Sequence, residues 1–75
     1  MNLKTYLMIW FNSERVEPQK IVESLQGMRF TPLRGPYDHI YEWSREVDLD
    51  EILQLGNTVH KTLKGFKVLY KLETV

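Results

Sequence analysis

Cysteine is absent from this 75-residue chain, which excludes structural disulfides, thiolate metal sites and thiol nucleophiles. Long apolar runs are absent too. The longest, Tyr6-Leu7-Met8-Ile9-Trp10-Phe11, has six residues, too few for a bilayer span or a signal-peptide core, and no small-residue cleavage site follows it. The expectation is a cytoplasmic protein without membrane association. Glycine is scarce, four residues in all and none clustered, so the chain has no loop of the kind that cradles phosphate. It also lacks an excess of either charge: ten basic and ten acidic side chains cancel. A nucleic-acid partner usually demands a basic surplus, so that partner class is not expected. A zero balance eases self-association.

Side chains that could carry chemistry are equally sparse. His39 and His60 are the only histidines, and neither has a carboxylate at ligand spacing, so no metal site is expected. His60 reads as a partly exposed helix residue and His39 as a residue near a hairpin loop. The acidic group Glu46, Asp48, Asp50 and Glu51 lacks the glycine and distal Glu of a calcium loop, and acids belong at a helix start. Ser13 and Ser24 have no neighbouring base to activate them. The reading is a non-enzymatic protein that needs no cofactor.

What is present is a core. Apolar residues make up 43% of the chain, with two Trp, four Tyr and three Phe, enough for a single domain over residues 1–75. Residues 3–11 alternate. Leu3, Leu7, Ile9 and Phe11 point one way with Thr5, while Lys4, Tyr6, Met8 and Trp10 point the other, the mark of a strand with two different faces. The polar break Asn12-Ser13-Glu14-Arg15 ends it. A short helix follows over about residues 17–26, with Pro18 in its first turn, the stripe Ile21, Val22, Leu25, and Gly27 at the left-handed terminal position.

Residues 28–34 and 38–45 read as strands joined around Arg34-Gly35-Pro36-Tyr37. A four-residue connection sets Leu33 opposite Asp38, Thr31 opposite Ile40, Phe30 opposite Tyr41 and Arg29 opposite Glu42. Phe30, Tyr41 and Trp43 then share a buried side, and Arg29, Thr31, Glu42 and Ser44 the other. Pro32 assigns the second strand to a sheet edge. A second helix begins at Asp48, with Glu51 completing a capping box. Ile52, Leu55, Gly56, Val59 and Leu63 follow the helical period, and Gly65 ends it. Gly56 predicts close approach of helix to sheet. The last strand turns Phe66, Val68, Tyr70 and Leu72 inward and Lys67, Leu69 and Lys71 outward.

The order strand, helix, strand, strand, helix, strand implies an α+β fold, the ferredoxin-like βαββαβ sandwich. In it a four-stranded antiparallel sheet, order 4-1-3-2, carries both helices on one face. The other face stays open. Tyr6, Met8, Trp10, Ile40 and Leu69 are expected there, with Lys4, Lys67 and Lys71 as a basic rim. An apolar centre with a polar rim is how contact surfaces are built. The expected function is therefore a protein-interaction or homodimerisation module, its partner a second copy or another protein. The alternative is single-stranded RNA binding on the same face, by analogy with the RRM. Tyr6 and Trp10 would stack bases, but His39-Ile40-Tyr41-Glu42-Trp43 lacks that family's Gly-rich, Phe-rich signature. Acylphosphatases share the element order and use an arginine in a Gly-rich loop after the first strand, with an asparagine elsewhere. Arg15 stands in the corresponding loop, but Glu14 and Glu17 flank it, no glycine accompanies it and Asn57 sits in a helix, so that activity is not carried over.

Overall fold

A computed structural model describes residues 3–11, 17–34, 38–44 and 46–75. Strand β1 runs Lys4–Phe11, helix α1 Pro18–Gly27, β2 Thr31–Pro32, β3 Asp38–Glu42, α2 Leu49–Leu63 and β4 Val68–Thr74. A 3-10 turn, Lys64–Phe66, leads from α2 into β4. The strands form one antiparallel sheet ordered β2-β3-β1-β4, the same neighbours as 4-1-3-2 counted from the opposite edge. The loop around Arg15, with Ser13, and the connection at residues 35–37 lie outside the described residues.

Alternation in β1 sorts the molecule. Leu7 and Ile9 are buried and join Ile21 and Leu25 of α1, Phe30, and Val59 and Leu63 of α2 in one cluster. Both helices therefore cover the same face of the sheet. Burial of each such aliphatic side chain stabilises the fold by about 1.5–3 kcal/mol. The hairpin keeps the register that its chemistry implies: Thr31 pairs with Ile40 and Pro32 with His39, and the Leu33 N–H donates to the Asp38 carbonyl at 2.9 Å. The aromatic side is inward, with Phe30 and Tyr41 edge to face at 5.5 Å between ring centroids and Tyr41 4.7 Å from Trp43. The Trp43 indole N–H donates to the Thr5 hydroxyl oxygen at 2.8 Å, which lies 2.8 Å from the Thr74 hydroxyl. Those two bonds link the segment just past β3 to β1 and β4.

The strands are shorter than the alternation implies: β2 is Thr31–Pro32 and β3 ends at Glu42. Helix ends explain much of the difference. Left-handed backbone falls not at Gly27 and Gly65 but at Arg29, φ 72°, and Lys67, φ 49°. After α1 the Phe30 N–H returns to the Leu25 carbonyl at 3.0 Å and the Arg29 N–H to the Gln26 carbonyl at 2.9 Å. This is the Schellman pattern with Arg29 at the left-handed position, closed by the contact of Phe30 and Leu25 within the core. Met28 and Arg29 are thus committed to the helix end and leave the strand. At the other terminus, α2 tightens into the 3-10 turn through Gly65, and Lys67 makes the turn into β4. Phe66 precedes the strand and still packs on the core.

The start of α2 matches its sequence. The Glu51 N–H donates to Asp48 Oδ1 at 2.9 Å, and the Asp48 N–H donates to Glu51 Oε2 at 3.3 Å. Gly56 is a correction. A Cβ built there would stand 3.9 Å from Leu72 Cδ1, an ordinary contact, so packing does not require glycine. Instead Gly56 opens a cleft of about 270 Å³ with Thr5, Ile52, Leu53, Leu72 and Thr74. Gly56→Ala is expected to stabilise the protein by about 1 kcal/mol, raising the thermal midpoint by roughly 4–8 °C. A fall in the midpoint would show that the cleft cannot accept a methyl group.

Candidate functional site: the open sheet face

Register fixes which residues share the uncovered face. Tyr6 pairs with Ile40 and Glu73, Met8 with Asp38 and Lys71, Trp10 with Leu69, and Lys4 with Glu42. Directly opposed residues point to the same side, so Tyr6, Met8, Trp10, Ile40, Leu69, Lys4 and Lys71 are all placed together. Trp10 is 51% exposed and Leu69 62%, while Tyr6 and Met8 are half-buried and Lys4 and Lys71 exposed. Ile40 is only 8% exposed; it forms floor rather than contact surface. Lys67 departs from the expected rim. Its left-handed conformation lies before β4 begins, so strand alternation no longer assigns it to this face.

Three more residues belong here. Leu33, half exposed at 50%, lies opposite Asp38 on the open side, and the same pairing was legible in the hairpin register. Asp38 and Glu73 bring carboxylates onto the face, beside Met8 and Tyr6 respectively. Two hollows indent the surface. One, about 370 Å³, is bordered by Tyr6, Met8, Leu33, Arg34, Asp38 and Glu73. The other, about 450 Å³, is bordered by Met8, Trp10, Phe11 and Asp38. The first is mainly apolar, which suits contact with a partner side chain; the second is mixed, with Asp38 at its border.

Among the described residues no group of three or more His, Asp or Glu converges as metal ligands. His60, exposed on α2, is tied at Nδ1 to the Tyr70 hydroxyl at 3.1 Å. His39 is the second residue of β3, next to the hairpin connection, and is completely buried, inward-facing beside Leu7 and Pro32. Its two ring nitrogens have no hydrogen-bond partner among the described residues. Burial lowers its pKa, and the nearby Asp38 carboxylate opposes that shift.

Fold and surface together define a small α+β domain with two helices on one side of a four-stranded antiparallel sheet. No helix among the described residues is long and apolar enough to cross a membrane. Comparison with protein-family models, curated proteins and solved structures finds no match to this chain.

Proposed function

We propose that this chain is a non-enzymatic protein-interaction module of ferredoxin-like βαββαβ architecture, acting through its open sheet face. The observation that carries the reading is Trp10, a large indole left 51% exposed beside Leu69 on an otherwise ordered strand. Trp side chains of this kind dominate contact energies when a partner covers them. The hollows on either side of Met8 supply concave surface for partner side chains, and Lys4, Lys71, Asp38, Glu42 and Glu73 form a mixed-charge surround. Three carboxylates on the face weigh against single-stranded RNA, whose phosphates they would repel.

Trp10→Lys tests the reading. The variant is expected to fold with wild-type stability within about 0.5 kcal/mol and to lose the partner contact made by the wild type, read by sedimentation and by chemical-shift mapping of Tyr6, Trp10 and Leu69. A partner bound equally well by the variant would remove the open face from consideration.

A further inference from the structure

We infer that two copies of this chain pair edge to edge through β4, forming one continuous eight-stranded sheet about a two-fold axis at Leu72. This edge adjoins the open face and shares Leu69, Lys71 and Glu73 with it, but the inference rests on the backbone of β4 and not on the reading above. It starts from the hydrogen-bond phase of the ladder. Strand β4 is an edge strand of seven residues, Val68–Thr74. Lys4 and Val75 exchange both backbone bonds at 2.9 Å. Bonded pairs recur at every second position of an antiparallel ladder, so Glu73, Lys71 and Leu69 also direct their N–H and C=O groups at β1. Val68, Tyr70, Leu72 and Thr74 direct theirs outward, where no described strand lies. Edges of this length are normally blunted by proline, a bulge or charged side chains, lysine above all; VLYKLET contains no proline, its register against β1 is unbroken, and its two charges, Lys71 and Glu73, are of opposite sign and so can pair across a two-fold axis.

Apolar surface flanks the edge on both sides. Leu49, Leu53, Gly56 and His60 recur at helical spacing and share one flank of α2. His60 touches Tyr70 and Gly56 borders Leu72, which places that flank over β4. Leu49 and Leu53 on it are 68% and 56% exposed. On the other side of the sheet, Leu69 and Val75 are 62% and 63% exposed. Of the six large hydrophobic side chains exposed among the described residues, these four surround the free edge.

Charge selects a second copy as occupant. With Leu72 opposite itself, the outward groups pair Tyr70 with the partner copy's Thr74 position, and six backbone bonds form across the axis. On the open side each Lys71 then faces a Glu73, and each Leu69 faces a Val75. Both kinds of contact are complementary, and each occurs twice by symmetry. Moving the axis by one residue would instead set Lys71 against Lys71 or Glu73 against Glu73. Only the Leu72 centre satisfies both the charges and the apolar pairs.

The test is a charge swap read together with amide exchange. In the wild type, the Tyr70, Leu72 and Thr74 amides should exchange freely at high dilution and become protected as concentration rises. Lys71→Glu and Glu73→Lys should each weaken the dimer on the order of tenfold by sedimentation, and the double variant should restore it. Trp10→Lys should leave the dimer intact. Unprotected amides at every concentration, or a double variant no tighter than the singles, would overturn the pairing. A dimer abolished by Trp10→Lys but indifferent to Lys71→Glu would overturn it while supporting the open-face reading, so the two fail separately.

Discussion

Phe30→Ala is expected to destabilise the protein by about 3–5 kcal/mol, the range for truncating a buried aromatic ring. Phe30 is 2% exposed and holds three features in place. Its ring packs edge-on against Tyr41 at 5.5 Å, its N–H closes the end of α1 on Leu25 at 3.0 Å, and it precedes the two residues of β2. Removal leaves a cavity in the core cluster between α1 and the hairpin. A domain of this size has about 4–11 kcal/mol of total stability at 0.05–0.15 kcal/mol per residue, so the variant should be partly unfolded at 37 °C. Urea titration at 25 °C would show a lower midpoint with an unchanged slope. A loss under about 1 kcal/mol, no larger than that of an exposed residue, would mean that the aromatic side of the hairpin is not the buried one.

His39 should make the protein sensitive to acid. Its folded-state pKa lies below the ordinary 6.5 because burial disfavours the cation, with Asp38 partly opposing. In the unfolded chain the imidazole takes up a proton as pH falls through that ordinary value, while in the folded state it stays neutral. The unfolded state then binds more protons, so stability falls as pH drops. The contribution is fully present above the unfolded value, is lost progressively towards the lowered folded value, and levels off below it. The slope in that window approaches about 1.4 kcal/mol per pH unit. His39→Leu should remove this dependence. It should also stabilise the protein at neutral pH by about 1–3 kcal/mol, since both ring nitrogens are buried without partners among the described residues. Urea midpoints at neutral and mildly acidic pH, compared between wild type and variant, would decide. Identical pH profiles would show that His39 finds water or a partner in solution.

Much of this was readable from residue order. Alternation in residues 3–11 separated a helix-covered side from a bare one, and Pro32 with the Thr31–Ile40 pairing fixed the hairpin and its edge. Asp48 and Glu51 announced the start of α2 because a capping box is a local event, decided within four residues. The helix ends were hidden for the opposite reason. Glycine at 27 and 65 satisfied a local rule, yet Phe30 had to reach back to Leu25, and that tertiary demand placed the left-handed residue two positions later, on Arg29. Lys67 follows the same offset and left the rim for the same cause, the extra turn after α2. His39 was legible but masked by its polarity: the parity that turned Tyr41 and Trp43 inward applies equally to residue 39. Leu33, too, followed from the register once Asp38 was set opposite it.

The two tryptophans stand on opposite sides of the sheet, and this divides the protein's fluorescence into separate signals. Trp43 is enclosed at 8% exposure with its N–H held by Thr5, so its emission follows the state of the interior. Trp10 projects into solvent and responds to whatever covers the bare side. Removing either indole therefore leaves a native single-colour probe, one of folding and one of docking, without any attached dye.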